Sequence, residues 1–240
     1  MAAQPLSRCR RPARWPPLLA SVLALAATPA AAHAQDLLAR LAGTAPTLDR
    51  GVLALALEAT ECAVASRTVP RPQRLAVIDY TLPSTRPRLW VFDLQRRALL
   101  FHEHVAHGRG SGGDVPGAFS NLEGSHQSSL GLLRTAETYV GENGYSLRMD
   151  GLEPGINDRA RERLLVMHGA DYVDPAQARR QGRLGRSWGC PAVRRDVARP
   201  VIDSLAQGQL LFAYARDRRW LDGSRFFGCA KAERAPRRRE

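Results

Sequence analysis

The spacing of hydrophobic positions changes near residue 70, where a helical pattern gives way to short strand-like runs. The 36–66 stretch is rich in Ala and Leu and is interrupted at Leu48-Asp49. We therefore predict two helices, with Asp49 as the N-cap of a helix over 50–65. Two prolines in the 68–72 stretch end this pattern. A helical segment thus precedes a region that strands dominate.

Short apolar runs separated by Gly-, Pro- or Arg-containing turns fill most of the remaining chain. Gln95-Arg96-Arg97, between the second and third run, predicts a hairpin. A helix is predicted over 195–207, and a loop or short helix over 171–186. Several short strands with Gly and Pro turns favour a mainly β fold with added helices, as a sandwich or a barrel. The predicted strands cover residues 74–80, 88–94, 98–106, 145–149, 164–168 and 209–215.

A Gly- and Ser-rich stretch over 108–131 is long for a loop in a compact domain. Loops of this length without regular structure are usually functional or mobile. Ser128 and Ser129 lie near its end, where their hydroxyls either bind a polar peptide or satisfy the backbone of a turn. The sequence leaves these two roles open.

The first 34 residues have the three parts of a secretory signal peptide. Arginines over 8–14 form a basic start, residues 18–28 form a short apolar core, and 32–34 match an A-x-A cleavage site. The apolar core is shorter than the roughly 20 residues that a membrane-spanning helix needs. We therefore predict an exported, periplasmic chain, cleaved after Ala34 and without a stable membrane anchor.

The positive net charge indicates which kinds of molecule the protein binds. The chain has 35 Lys and Arg against 23 Asp and Glu, a formal net charge of +12 at pH 7. Such a surface suits an anionic wall polymer or an anionic membrane, although the same excess also serves solubility. Because the predicted signal peptide exports the chain, we predict no nucleic-acid partner.

A histidine, a cysteine and a glycine turn occur in the C-terminal third of the chain, in His168-Gly169 and Ser187-Trp188-Gly189-Cys190-Pro191. A thiol attacks as its thiolate, and a neighbouring base takes its proton. Gly189 permits a sharp turn that directs backbone amides at a reacting carbonyl, as an oxyanion hole requires. We therefore predict Cys190 as a nucleophile and His168 as its general base.

Each of these residues also has a structural interpretation. A lone Cys190 is typical of a buried structural thiol, and His168 closes an apolar run, where it would cap a strand in the core. Ser187 either hydrogen-bonds the Cys–His pair or holds the turn. Trp188 either forms a wall of the substrate cleft or fills core space. The combination favours catalysis for the cysteine and histidine and leaves the other two open.

Three histidines over 102–107 form a competing constellation. His102 and His104 share one face of the predicted strand, as some zinc sites require, whereas His107 lies at an odd offset. No acidic residue completes an evident site, so a polar strand face is favoured and we predict no metal. An exported zinc hydrolase that uses His102 and His104 is the alternative.

Three cysteines remain after the predicted cleavage. Cys62 and Cys229 flank the region with the predicted catalytic residues, so we predict a disulfide between them, with Cys190 as the odd thiol. The alternative is that both are small buried hydrophobic residues.

The cysteine site resembles the active-site pattern of the L,D-transpeptidase catalytic domain (YkuD-like) family, in the branch with Ser-x-Gly-Cys-Pro. The resemblance covers roughly residues 75–214. The cysteine motif alone is moderately specific, whereas the ordered series of motifs is strongly specific. Upstream, the series comprises Ile78-Asp79-Tyr80, Leu82-Pro83-Ser84, Leu89-Trp90-Val91-Phe92-Asp93-Leu94, Val105-Ala106-His107-Gly108, Ser111-Gly112, Phe119-Ser120-Asn121, Ser128-Ser129-Leu130-Gly131, Gly144-Tyr145-Ser146-Leu147 and Gly151-Leu152-Glu153.

The resemblance implies a β-sandwich catalytic domain over 74–216. It is preceded by the signal peptide over 1–34 and a helical segment over 35–73, and followed by a basic extension over 217–240. With the local chemistry, it indicates catalytic roles for Cys190, His168, Ser187 and Gly189. We also predict substrate-binding roles for His107, Ser128, Ser129, Gly169, Trp188 and Arg194.

The chain departs from the commonest form of this family at two positions. That form has His or Arg before the Gly-Cys pair and Arg two residues after the cysteine, where this chain has Trp188 and Ala192. Arg194 and Arg195 follow closely, and the sequence leaves open which of them, if either, replaces the missing arginine.

The resemblance implies acyl transfer on peptidoglycan stem peptides. Cys190 would form a thioester with the diamino acid of a tetrapeptide stem, D-alanine would leave, and an amine of a second stem would complete a crosslink. No cofactor is needed, and we expect a monomer. Hydrolysis as an L,D-carboxypeptidase and a non-catalytic, exported wall-binding protein are the alternatives.

Overall fold

Between residues 29 and 229, the chain forms five α-helices and nine β-strands. A computed structural model describes the backbone over this range and the side chains from residue 32 onward. The helices are α1 (Pro29–Thr44), α2 (Arg50–Ala65), α3 (Pro175–Gln181), α4 (Arg195–Leu205) and α5 (Arg218–Gly223). The strands are β1 (Arg74–Asp79), β2 (Leu89–Asp93), β3 (Ala98–Glu103), β4 (Val105–Ala106), β5 (Gly131–Gly141), β6 (Gly144–Gly151), β7 (Val166–Ala170), β8 (Ala192–Arg194) and β9 (Leu210–Tyr214).

Both predicted N-terminal helices are confirmed, and Asp49 is the N-cap of α2. Its side chain accepts hydrogen bonds from the N–H groups of Gly51 and Val52, which have no acceptor inside the helix. α1 begins at Pro29 and therefore runs through the predicted cleavage site. The basic and apolar parts of the predicted signal peptide lie outside the described residues. Within residues 29–229, no helix has the length and apolar character needed to cross a bilayer.

All nine strands belong to one sheet with the order β3-β2-β1-β9-β5-β6-β7-β8-β4. The β1–β9 and β7–β8 pairs are parallel, and the other neighbouring pairs are antiparallel. The two edge strands, β3 and β4, are separated in sequence by His104 alone. Since consecutive Cα atoms lie about 3.8 Å apart, the two edges of the sheet must come together. The sheet is therefore barrel-like, and the predicted mainly β fold with added helices is confirmed.

The predicted strands agree with the structure within one or two residues, with one exception. The run over 98–106 forms two strands, because β3 pairs with β2 and β4 pairs with β8 at the other edge. The sequence pattern does not predict β5, in which a shift of register between Thr135 and Thr138 breaks the alternation of polar and apolar positions. It also misses β8, whose three residues are too few to show a periodicity.

The main hydrophobic core joins the barrel to α1, α2, α4 and α5, whereas α3 packs on a smaller second cluster through Ala178. β1 and β2 are buried along almost their whole length, and α2 and α4 both pack on β1. Leu53 of α2 and Ile202 of α4 belong to this core. Trp220 of α5 and Phe226 also belong to it, so the segment after residue 216 packs on the barrel.

A disulfide joins the end of α2 to the last of the described residues. Cys62 near the end of α2 is bonded to Cys229, with 5.8 Å between their Cα atoms. The predicted pairing is confirmed, and Cys190 is the cysteine without a disulfide in the described part of the chain. The bridge connects the N-terminal helices to the C-terminal extension, on either side of the barrel in sequence.

Candidate active site

The turn that contains Cys190 lies beside β7, the strand that carries His168. β7 and β8 are parallel neighbours, with His168 opposite Ala192. Cys190 lies just before β8, and the N–H of Val166 in β7 donates to its sulfur at 3.5 Å. Parallel pairing thus places the predicted nucleophile and the predicted base on adjacent segments.

The turn before the cysteine requires glycine at position 189. Gly189 has a φ of +123°, a conformation that residues with a side chain rarely adopt. A Cβ atom at this position would lie 2.8 Å from the Gln127 carbonyl oxygen and 2.9 Å from Cδ2 of Leu165. Both the backbone conformation and the available space therefore exclude other residues.

Ser187 holds this turn through three hydrogen bonds. Its hydroxyl donates to the carbonyl of Cys190 at 2.6 Å and accepts from the N–H of Gly189 at 3.1 Å. Its backbone N–H donates to the carbonyl of His107 at 3.0 Å. No hydrogen bond joins Ser187 to His168 within the described residues. These contacts correspond to the turn-holding role.

The long Gly- and Ser-rich loop packs directly against the turn. The hydroxyl of Ser128 accepts from the N–H of Gly108 at 3.0 Å and donates to the carbonyl of Gly189 at 3.2 Å. The hydroxyl of Ser129 donates to the carbonyl of Ser120 at 3.1 Å. Both serines are buried, so they satisfy the backbone of the loop and the turn in this state.

The Cys190 thiol is partly exposed and has few polar contacts. Beyond the Val166 N–H, its sulfur lies 3.7 Å from the carbonyl oxygen of Leu164, to which the S–H donates. Desolvation raises the pKa of Cys190 above its usual value, and the Val166 N–H and the charge of Arg163 oppose this rise. The resting thiol is therefore mostly protonated at neutral pH, and attack requires a base.

His168 is buried, and its ring is oriented by the backbone. Its Nδ1 lies 3.1 Å from the carbonyl oxygen of Gly169, so Nδ1–H donates and Nε2 keeps its lone pair in the neutral ring. Burial lowers the pKa of His168, the Gly169 carbonyl opposes this change, and the Arg195 charge adds to it. A neutral imidazole with a lone pair on Nε2 is the form that a general base needs. Within the described residues, no hydrogen bond joins His168 to Cys190.

Sequence reasoning missed two residues beside the site. Tyr172 is edge-on to His168, with ring centroids 6.4 Å apart, and desolvation followed by the nearby Cys190 raises its pKa. Arg163 precedes the Leu164 carbonyl that contacts the thiol, and it hydrogen-bonds the Gly- and Ser-rich loop. Both lie within five residues of His168 in sequence. This proximity to the predicted base is the one feature of the sequence that could have identified them.

His107 lies entirely inside the protein. Its Nδ1 is 2.7 Å from the Arg88 guanidinium and therefore accepts, which leaves the proton of the neutral ring on Nε2. Burial and the Arg88 charge lower the pKa of His107 to about 4. Arg88 also donates to the carbonyls of Leu82 and Val105. The buried Arg88–His107 pair therefore holds the backbone of residue 107, whose carbonyl accepts from the N–H of Ser187.

Trp188 is 68% exposed, so the interpretation in which it fills the core is wrong. Its ring stacks on His126 with 5.1 Å between centroids and an interplanar angle of 16°. The Arg109 guanidinium lies 5.5 Å from the same ring, and its Nε–H donates to Nδ1 of His126 at 3.1 Å. An exposed, well-supported indole therefore lies two residues before Cys190.

The remaining predicted binding residues contact neighbouring protein groups. A Cβ at Gly169 would lie 2.7 Å from that of Ala198, so this glycine allows α4 to pack closely on β7. Arg194 forms ion pairs with Glu103 at 3.1 Å and Asp196 at 2.6 Å. Its charge is therefore compensated within the protein.

The histidines of the alternative zinc site have structural contacts. His102 stacks on Trp90 with ring centroids 4.9 Å apart, and Nε2 of His104 lies 3.2 Å from the carbonyl oxygen of Thr85. Among residues 29–229, no three His, Cys, Asp or Glu side chains are placed so that they could hold a metal ion.

A partly exposed thiol on a glycine turn, with a buried neutral imidazole on the adjacent strand, defines a thiol–imidazole site on a barrel-like β fold. The chain belongs to the family of L,D-transpeptidase catalytic domains, because the profile of that family matches residues 44–214. This match confirms the family that the motif series indicates. No curated protein matches the chain.

Three solved structures are among those to which the chain is similar. An L,D-transpeptidase from Mycobacterium smegmatis is 14% identical, with a TM-score of 0.36 over 60% of this chain and 59% of its own. The helical cell shape determining protein Pgp2 from Campylobacter jejuni is 9% identical, with a TM-score of 0.41 over 67% and 57%. An L,D-transpeptidase from Stackebrandtia nassauensis is 13% identical, with a TM-score of 0.36 over 78% and 92%. This chain thus spans about three fifths of the first two proteins, and similarities of this size carry no argument about activity.

Proposed function

We propose that this protein is a peptidoglycan L,D-transpeptidase with Cys190 as its nucleophile. Membership of the L,D-transpeptidase family supports the reaction class. The observation that carries the proposal is the juxtaposition of the partly exposed Cys190 turn with the buried, neutral His168 on β7. The fixed tautomer of His168 leaves Nε2 able to accept a proton.

In the first half-reaction, the Cys190 side chain turns from the Leu164 carbonyl towards His168, and Nε2 takes the thiol proton. The thiolate attacks the carbonyl carbon at the L-centre of the diamino acid in a tetrapeptide stem. The C–N bond to the terminal D-alanine then breaks, and His168 returns the proton to the leaving nitrogen. A thioester between Cys190 and the stem remains. Contacts between catalytic groups are often loose in apo structures and tighten with substrate, so the resting orientation of the thiol is compatible with this step.

The tetrahedral intermediate needs donors for its oxyanion. The N–H of Gly189 already donates to the Ser187 hydroxyl at 3.1 Å. Within the described part of the chain, no oxygen accepts from the N–H of Cys190, whose neighbouring acceptor is the sulfur of its own side chain, so we assign the oxyanion to this donor. Ser187 and Gly189 thus serve catalysis by holding the conformation that presents this donor.

Among the predicted binding residues, we propose direct substrate contact for Trp188. Its exposed indole, supported by His126, offers a flat apolar surface beside the nucleophile, and the adjacent Arg109 suits the carboxylates of stem peptides. The buried side chains of His107, Ser128 and Ser129, the packed Gly169 and the ion-paired Arg194 act by positioning the site.

In the second half-reaction, an amine of another stem attacks the thioester, which forms a 3→3 crosslink and regenerates the thiol. Water in place of the amine would release a shortened stem, which is L,D-carboxypeptidase activity on the same site. The basic charge of the chain and the predicted signal peptide support action on the wall polymer in the periplasm. We expect the protein to act as a monomer without a cofactor.

The proposal is tested by incubating the chain and its Cys190→Ala variant with purified disaccharide-tetrapeptide. Intact-protein mass spectrometry measures an acyl adduct, and product analysis measures released D-alanine. We expect both signals from the parent and neither from Cys190→Ala. Crosslinked dimers would identify transpeptidation, and tripeptide stems would identify hydrolysis. A fully active Cys190→Ala variant, or no adduct and no product from folded protein with an unoxidised Cys190, would overturn the proposal.

A further inference from the structure

Arg163 is a half-buried cation without a carboxylate partner. Four of the five N–H donors of its guanidinium have acceptors in the Gly- and Ser-rich loop, all of them uncharged. These acceptors are the carbonyl of Ser120 at 2.5 Å, the hydroxyl of Ser129 at 2.7 Å, the hydroxyl of Ser125 at 3.2 Å and the carbonyl of Gln127 at 2.7 Å. Within residues 32–229, no acidic side chain forms an ion pair with Arg163. A desolvated cation of this kind is costly unless an anion lies nearby.

Arg163 is connected to the cysteine turn through its guanidinium and through its backbone. The Gln127 carbonyl that accepts from Arg163 also lies against Gly189, 2.8 Å from where a Cβ would stand. The next residue in the chain, Leu164, directs its carbonyl at the Cys190 sulfur, and Val166 donates to it. Arg163 and the thiol are thus neighbours across the loop and along the approach to β7.

The other arginines near the nucleophile are engaged elsewhere. Arg194 pairs with Glu103 and Asp196, and Arg195 pairs with Asp171 at 2.5 Å. Arg186 donates to the carbonyl of Gly112 at 2.6 Å. These arginines are held by those partners, whereas the charge of Arg163 opposes the rise of the Cys190 pKa.

Titratable side chains lie on three segments around the Cys190 turn. His168 and Tyr172 lie on and after β7, Tyr80 follows β1, and Arg163 precedes β7. Burial raises the pKa of both tyrosines and lowers the pKa of His168, so these three groups are neutral in the resting site. Arg163 is therefore the group that brings a positive charge to the thiol.

We propose that Arg163 supplies the positive charge that stabilises the Cys190 thiolate. The inference rests on the proposed role of Cys190 as the nucleophile. Arg163 lowers the pKa of Cys190 against the larger effect of desolvation, and the thiolate in turn raises the pKa of Arg163. Because the same guanidinium anchors the loop through four hydrogen bonds, it couples the position of the loop to the reactivity of the thiol.

The test measures the rate at which iodoacetamide alkylates Cys190 as a function of pH, in the disulfide-intact full chain. Peptide mapping by mass spectrometry isolates Cys190 from other cysteines. The parent is compared with the neutral variants Arg163→Gln and Arg163→Met, so that poor folding of one still leaves the other. An opposite charge within about 4–6 Å shifts a pKa by about 1–3 units, so we expect the alkylation midpoint to rise by about one unit or more. At a fixed pH below the midpoint, the rate then falls about tenfold or more.

Three further variants separate charge from structure. Arg163→Lys keeps the charge and should stay closer to the parental midpoint than the neutral variants do. Ser125→Ala removes one anchor of the loop but keeps the charge, so its midpoint should not change. Arg161→Gln is the matched control, because Arg161 lies in the same turn but pairs with Glu137 and Asp150. An unchanged midpoint in a folded neutral variant, or a rise in Arg161→Gln equal to that in Arg163→Gln, would overturn the proposal.

The readout is independent of turnover. A shifted midpoint in a chain that forms no adduct with disaccharide-tetrapeptide would retain the role of Arg163 while the proposed function fails. Acyl transfer by the parent together with an unshifted midpoint in the neutral variants would retain the proposed function and exclude the role of Arg163.

Discussion

The Cys62–Cys229 disulfide should supply a large part of the stability of this fold. In the chain-entropy description, a cross-link between residues 167 positions apart destabilises the unfolded chain by about 5 kcal/mol. The total stability of a folded domain is about 5–15 kcal/mol. At this size, a loss of 5 kcal/mol lowers Tm by about 10–20 °C. We therefore expect the protein without this bridge to be marginally stable.

The assay compares the Cys62→Ala/Cys229→Ala double variant with the parent, both carrying Cys190→Ala to prevent thiol exchange. Urea unfolding followed by circular dichroism gives the free energy of unfolding, and thermal scans give Tm. Reductant should destabilise the parent and leave the double variant unchanged. A difference below about 1 kcal/mol between two cooperatively unfolding proteins would refute the reasoning. It would mean that the long loop hardly enlarges the conformational freedom of the unfolded chain.

Three further results are expected. Gly189→Ala should lower kcat/KM for a tetrapeptide donor by about 100-fold or more. The added Cβ would lie 2.8 Å from the Gln127 carbonyl oxygen and would displace the turn that carries Cys190. Kinetics equal to those of the parent would contradict this prediction. The pKa of His107 is about 4 in the folded protein and about 6.5 when unfolded. The stability that depends on neutral His107 is therefore complete above pH 6.5 and declines as pH falls towards 4, by up to roughly 3 kcal/mol. His107→Gln should flatten this pH dependence in urea unfolding, and an unchanged slope would exclude His107 as its source. Trp188→Ala should change the free energy of unfolding by less than about 0.5 kcal/mol but raise KM for the donor, whereas an unchanged KM would remove Trp188 from the substrate surface.

The pair of groups at the site was predictable because both occur in short contiguous motifs. The Ser187–Pro191 segment contains the thiol and the glycine that its turn requires, and His168 follows an apolar run that forms a strand. The N-cap at Asp49 is another local feature, since its two hydrogen bonds reach only to Gly51 and Val52.

Roles that depend on contacts between distant segments were not predictable. Sequence spacing left two roles open for Ser187, and its hydrogen bonds to the turn show which one the structure supports. It assigned a substrate contact to His107, whose side chain is buried against Arg88. β5 was missed because the register shift between Thr135 and Thr138, which belongs to its pairing with β6, interrupts the alternation of polar and apolar positions.

The sequence by itself determined the order of helical and strand-rich segments and the favoured cysteine pair, and it supplied the thiol and the imidazole of the proposed site. These features follow from local spacing, from helix capping and from the chemistry of single side chains. The tertiary structure alone decided that the sheet curls into a barrel, that Trp188 is exposed and that Arg163 binds the loop carbonyl that packs against Gly189. The reason is that burial and charge depend on which segments pack together, and this is set by the parallel β7–β8 pair and by the loop bound to Arg163.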